Sequence, residues 1–183
     1  MSFVLGQPRV LLILLGFLMP PLSALSESLH GRVIGVSDGD TITVLDVDHQ
    51  QHKIRLSGID APEKAQAFGQ RSKENLSHLV FNRDVAVEWR KKDRYGRTVG
   101  KVMVADSACR EASCPKVLDA CHAQVLAGMA WWYRQYAGEQ EPGDASRYEL
   151  AEQEARARRL GLWTDSHPTP PWEWRKERKN HAQ

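Results

Sequence analysis

Arg32-Val33-Ile34-Gly35-Val36-Ser37-Asp38-Gly39-Asp40-Thr41-Ile42-Thr43-Val44 carries the reading on which the fold turns. Asp38-Gly39 stands between two β-branched runs, and Asp-Gly in that setting is a strong turn signal. Arg32–Val36 therefore reads as a strand, and Thr41–Val47 as the next, with Ile42 and Val44 on one face. Asp48 to Gln51 is polar and fits a turn. His52–Ile59 alternates again, Ile54 and Leu56 facing away from Lys53 and Arg55. Asp60-Ala61-Pro62 then ends the pattern.

Outward from this core the chain changes period. Phe68, Leu76, Leu79 and Val80 recur at helical spacing and predict a helix from about Phe68 to Phe81. Val85, Val87 and Trp89 alternate as a strand. Asp93-Arg94-Tyr95-Gly96-Arg97 reads as a turn, and Thr98–Val104 as one more strand. A helix is expected near Leu118–Ala127, with Leu118, Cys121 and Val125 on one stripe. Ser146-Arg147-Tyr148-Glu149 has the form of a capping box opening a last helix, with Gly161 at its C-cap. Prolines at 168, 170 and 171 begin an exposed tail. Five short strands mixed with two or three helices predict an α+β fold with a small barrel as its sheet. The expected organisation is one domain over 27–166 and a basic, Pro/Trp-rich tail over 167–183.

The first segment stands apart. Arg9 precedes Val10–Met19, a run without a polar side chain, followed by Pro20-Pro21. About 17 apolar residues are needed to span a bilayer, so this run is too short. It reads as a signal peptide, with small residues at Ala24 and Ser26 placing cleavage after Ser26; the rival reading is an uncleaved membrane anchor. The expectation is a secreted or periplasmic protein without stable membrane association, and a monomer.

Net charge is +2 over 183 residues, so bulk charge says little about partners, and attraction must come from local clusters. One cluster is Arg90, Lys91, Lys92, Arg94 and Arg97; another is Arg156, Arg158 and Arg159, followed by Arg175, Lys176, Arg178 and Lys179. Cys109, Cys114 and Cys121 lack a common zinc-finger spacing, and in an oxidising compartment two of the three are expected to pair. Which two stays open. Trp131, Trp132 and Tyr133 fit either base stacking or core packing. His49 and His52 read as solvated turn residues.

The acids and arginines hold the chemistry. A hairpin turn centred near position 50 would set Asp40 opposite Asp60, and like charges across a ladder destabilise it. Two readings stay open: a site for a hard cation, calcium or magnesium, or two ordinary turn acids. Glu63 beside such a site could serve as general base toward water, or simply open a helix. Arg55 and Arg97 have the planar fork that grips phosphate, or are ordinary surface arginines. Arg55 and Asp60 are five residues apart, which on a regular strand points them to opposite faces. A bulge or bend at Ser57-Gly58 would reconcile them.

Asp38-Gly39-Asp40-Thr41, Ile54-Arg55-Leu56, Ile59-Asp60-Ala61-Pro62-Glu63 and Asp93-Arg94-Tyr95-Gly96-Arg97, in that order, resemble the staphylococcal nuclease family. Gly128-Met129-Ala130 and Leu160-Gly161-Leu162-Trp163 are similar to its later landmarks, so the resemblance spans roughly Gly31 to Trp163. It implies a five-stranded OB-fold barrel with about three helices, and a calcium-dependent nuclease cutting DNA and RNA to 3′-phosphorylated products. On this resemblance Asp40, Asp60 and the backbone carbonyl of Ala61 are expected to hold Ca2+. Arg55, Glu63 and Arg97 are the expected catalytic residues. Arg94, Tyr95, Tyr133 and Arg134 are expected to bind substrate.

Departures from the family pattern are specific. Ala61 stands where Thr is familiar, and Arg94 replaces a Lys. The stretch from Glu63 to Asp93 is shorter. Arg134 falls where a second substrate tyrosine is expected, between Tyr133 and Tyr136, and the cysteine segment is an insertion. The rival reading is a non-catalytic OB module binding single-stranded nucleic acid or protein tails, which such domains become when acids or arginines are lost. None is lost here.

Overall fold

The computed structural model describes residues 27–106, 108–109 and 114–181. The apolar N-terminal run and the expected cleavage point after Ser26 lie outside the described residues. Strands β1 (Glu27–Asp38), β2 (Thr41–Leu45), β3 (Gln51–Leu56) and β4 (Ile59–Asp60) precede helix α1 (Gly69–Val80). Then come β5 (Asp84–Lys92), β6 (Thr98–Val104), β7 (Leu118–Asp119), helix α2 (Ala120–Leu126) and β8 (Trp131–Trp132). A 3-10 segment (Arg134–Glu139), helix α3 (Asp144–Ala157), a second 3-10 segment (Gly161–Thr164) and helix α4 (Pro171–Asn180) complete the order.

Five strands close into a barrel. They run β3-β2-β1-β5-β6 as antiparallel neighbours, and a parallel pairing of β3 with β6, from Ile54↔Thr98 to Leu56↔Gly100, shuts the ring. Closure removes the free edges that an open sheet would leave. Strand β1 serves two neighbours: Glu27–Arg32 pair with β5, and Arg32–Asp38 with β2. At the changeover Gly31 lies so close to β2 that a Cβ would fall 2.3 Å from the Leu45 carbonyl oxygen.

Alternation decides which side chains fill the barrel. Along β6 Thr98, Gly100, Val102 and Val104 point inward, and Val85 and Val87 on β5 and Ile42 and Val44 on β2 meet them. Helix α1 closes one end with Leu76 and Val80; α2 adds Cys121 and Val125; Tyr148 and Ala151 of α3 join the same cluster. A second cluster gathers Trp131, Ala155, Leu162 and Trp163, with Trp172 packed against it. Each aliphatic side chain so buried contributes about 1.5–3 kcal/mol relative to exposure. Trp131 and Trp132 are thus core residues, not stacking platforms.

Four sequence expectations need correction. The β2–β3 hairpin pairs Thr41 with Arg55 and Ile42 with Ile54, so its turn centres on Asp48 and Asp40 does not oppose Asp60. The cause is Asp46, whose Oδ1 accepts the backbone N–H groups of Asp48 (2.9 Å) and Gln50 (2.8 Å) and tightens the turn. Helix α3 starts at Asp144 after Gly143 (φ 89°), which leaves Ser146 inside the helix, not capping it. Its C-terminal left-handed residue is Arg159 (φ 51°), not Gly161: Leu160 N–H reaches the Ala155 carbonyl (2.9 Å) and Arg159 N–H that of Arg156 (3.0 Å), a Schellman closure. Finally, the stretch after Pro168, expected as an exposed tail, forms α4, whose first turn packs on the domain through Pro171 and Trp172.

Cys109 and Cys114 form a disulfide, and Cys121 is free and buried. Among the described residues no helix is long and apolar enough to cross a membrane.

Candidate active site

Asp40 leads into β2 from the tight turn after β1. The turn presses against α1: a Cβ on Gly39 would lie 1.8 Å from Ser72 Oγ and 2.7 Å from Ala61 Cβ. The buried Gln124 side chain holds it there, Nε2 donating to the Gly39 carbonyl at 2.6 Å. Asp40 Oδ2 accepts the Ala61 N–H at 2.7 Å, and Oδ1 the Thr41 hydroxyl at 3.1 Å. A backbone link replaces the expected ladder pairing: this hydrogen bond brings the Asp40 carboxylate to the Asp60-Ala61 peptide.

The bend at Ser57-Gly58 is present. β3 stops at Leu56, Gly58 takes φ 72°, and the chain resumes as β4 with its phase changed. Arg55 and Asp60 therefore share a face, Arg55 Nη2 donating to Asp60 Oδ1 at 2.6 Å. The other arm of the guanidinium, Nη1, meets Asp40 Oδ2. Asp40 is 6% exposed and Asp60 1%. Buried carboxylates are costly unless paired, and Arg55 lies between both. Strand β8 fixes β4 from behind, pairing Asp60 with Trp131, while Tyr133 N–H donates to the Gly58 carbonyl at 2.9 Å.

Glu63 follows Pro62 on a more open rim, its side chain 41% exposed. The turn between β5 and β6 supplies the remaining cations. Arg97 is clamped by Asp93, Nε and Nη2 each 2.7 Å from Oδ2. Burial pushes the Asp93 carboxyl up, but Arg97 and the backbone N–H groups of Arg97 and Tyr95 outweigh it and hold the group below its ordinary value. The guanidiniums of Arg94 and Arg97 lie over the ring of exposed Tyr95, at 4.9 and 5.5 Å.

One cleft of about 1000 Å³ collects these groups. Asp40, Arg55, Asp60, Ala61, Glu63, Arg94, Tyr95, Arg97 and Tyr133 all line it. Arg134 does not: its guanidinium lies over the Trp132 ring and is held by Glu152 (3.2 Å). Tyr136 lines the cleft instead, edge-on to Tyr133. Further along the lining, Arg90 pairs with Glu141 and Lys91 with Glu139, both at 2.5 Å. Sequence reading missed Arg175 on α4, which reaches Asp60 and Glu63; only the basic character of the tail pointed to it.

The donor chemistry can be tested against a metal. Among the described residues no three His, Cys, Asp or Glu side chains gather into a preformed cluster. Asp40 and Asp60 make a pair of oxygen donors joined through the Ala61 N–H. Two carboxylates that offer only oxygen donors suit a hard cation rather than zinc. The residues fit such an ion.

Residues 53–165 match the family model described as "Staphylococcal nuclease homologue". The chain is 45% identical over 152 residues to Protein ParB of Escherichia coli, covering 83% of this chain and 82% of that one. It is 44% identical over 151 residues to a micrococcal nuclease of Shigella flexneri, covering 82% and 83%. An uncharacterized endonuclease of Haemophilus influenzae is 38% identical over 172 residues, covering 93% and 87%. With an arginine-bridged carboxylate pair at the mouth of a barrel and this extent of similarity, the chain belongs to the staphylococcal nuclease family and is a nuclease that hydrolyses phosphodiester bonds.

Proposed function

We propose that the protein is a calcium-dependent, sugar-non-specific nuclease that cuts DNA and RNA to 3′-phosphorylated products. The observation that carries this reading is the convergence of Asp40, Asp60, Arg55, Glu63 and Arg97 on one cleft. Asp40, Asp60 and the Ala61 carbonyl would hold the ion. Calcium bound there would polarise a phosphoryl oxygen and help orient water.

The chain's own residues do the rest. Arg55 and Arg97 present forked donors to the scissile phosphate, and such donors gain strength as charge builds on its oxygens. Arg97 serves the leaving oxygen. Glu63, on the open rim, accepts the proton of the attacking water. Arg94 and Tyr95 hold a neighbouring phosphate, and Tyr133 offers its ring to a base. Arg134, tied to Glu152, assists by positioning the Tyr133 segment.

We further propose a secreted or periplasmic monomer. The apolar run before Pro20 supports export, and the Cys109–Cys114 disulfide suits an oxidising compartment. The deciding experiment incubates the purified protein with single-stranded DNA in calcium or in a calcium chelator, and end-labels the products. Calcium-dependent cleavage leaving 3′-phosphates, lost in Glu63→Ala, is the expected result. Cleavage in the chelator, or undiminished cleavage by Glu63→Ala, would refute the assignment.

A further inference from the structure

Helix α4 lies on the active site through three kinds of contact. Ahead of it, Gln66 Nε2 donates to the Thr169 carbonyl at 2.6 Å. On its first turn Trp172 stacks parallel to Tyr133, the planes 5° apart and the ring centres 5.4 Å apart, and meets Trp131 edge-on. Three residues later, on the same helix face, Arg175 reaches into the cleft. Its Nη2 donates to Asp60 Oδ2 at 2.7 Å, and its Nη1 to Glu63 Oε1 at 2.7 Å and Asp60 Oδ1 at 3.3 Å.

These contacts engage the groups that catalysis needs free. Asp60 has both oxygens in guanidinium hydrogen bonds, one to Arg55 and two to Arg175. Arg175 sets a positive charge against Asp60 Oδ2, the oxygen that Arg55 leaves open, which disfavours a cation there, and it occupies Glu63 Oε1. The Tyr133 face is likewise taken by an indole. Yet the helix is lightly held: Pro171 is its one buried residue, and Lys176, Glu177, Arg178 and Lys179 face solvent. Elements with few buried contacts open at low cost.

We propose that α4 is an intramolecular cover, competing with the metal ion through Arg175 and with a substrate base through Trp172. This rests on the reading of Asp60 and Glu63 given above. A site that is accessible only when the cover lifts binds its ion with an affinity reduced by the open fraction. Calcium and substrate together then shift the helix off.

The test compares the purified protein with Arg175→Ala, Trp172→Ala and, as a control on a solvent-facing cation of the same helix, Lys176→Ala. Calcium binding is measured by calorimetry without substrate, and cleavage of single-stranded DNA across a calcium series. Arg175→Ala is expected to bind calcium about tenfold more tightly, the gain when a cover closed about nine-tenths of the time is removed. Its cleavage should half-saturate at correspondingly lower calcium, with unchanged turnover at saturation; Trp172→Ala should move the same way and Lys176→Ala should not. Equal calcium affinity in the protein and Arg175→Ala would overturn the cover while leaving the calcium site standing, as would lower turnover by Arg175→Ala at saturation. Calcium bound by neither would overturn the calcium site, and the cover with it.

Discussion

Replacing Arg55 by alanine isolates the electrostatic dependence of two buried carboxylates on one guanidinium. Arg55 lies between Asp40 and Asp60, which are 6% and 1% exposed. Without it Asp60 keeps only Arg175, and Asp40 keeps only neutral donors from Ala61 and Thr41. Removing one partner of a buried ion pair costs about 3–5 kcal/mol, and Arg175 places this case at the low end. For a domain of this size about 3 kcal/mol corresponds to a fall in Tm of roughly 6–12 °C. Calcium should restore more stability to the variant than to the parent, since the ion replaces the missing positive charge; saturation at a hundred times Kd gives about 2.7 kcal/mol. Calorimetric melting of both proteins with and without calcium reads this directly. A fall of less than about 2 °C without calcium would refute the argument, because it would mean the two carboxyls are not buried as charges. An equal response to calcium in both proteins would refute the link between Arg55 and the metal.

Other features make separate predictions. Gly39→Ala forces a methyl against Ser72 and Ala61, and should cost about 1–3 kcal/mol in urea unfolding and slow cleavage by displacing Asp40. Asp93 has its folded pKa below the ordinary 3.8, so its contribution is present above that value and is lost as pH falls through the folded one. The stability gap between the protein and Asp93→Asn should therefore be constant near neutrality and close in acid, as followed by denaturant titrations at stepped pH. Cys121 is buried and its thiol is pushed up by burial, so a thiol reagent should label nothing in the native oxidised protein and one thiol per chain in denaturant. Labelling of the native protein would contradict the packing of α2.

Much of the barrel was legible because its signals are local. Alternation along Thr98–Val104 and the helical spacing of Leu76 and Val80 depend on neighbours a few residues away, and both elements appear where expected. The bend at Ser57-Gly58 followed from the odd spacing of Arg55 and Asp60. Failures arose where a side chain overrode a pattern. Asp46 recentred the β2–β3 hairpin by accepting two backbone N–H groups, so Asp40 and Asp60 meet through the Ala61 amide rather than across a ladder. Arg159 took a left-handed conformation that glycine usually fills, leaving Gly161 for a close approach to Gly128, 2.2 Å from a hypothetical Cβ. The reach of Arg175 to Asp60 crosses 115 positions, and no local periodicity encodes a contact of that range.

The ion pairs of Arg90 with Glu141 and Lys91 with Glu139 bear on how ionic strength governs substrate capture. A phosphate that binds a free surface cation releases condensed counterions, so log K falls with log salt at about −0.7 per contact on a single strand. At these two sites the cation already has a carboxylate partner. A phosphate arriving there displaces Glu141 or Glu139, and the displaced carboxylate gathers counterions of its own, returning much of what the nucleic acid released. Binding along this rim should therefore be less salt-sensitive than the number of basic side chains implies. A count of phosphate contacts taken from the salt slope would come out low by the number of such exchanges.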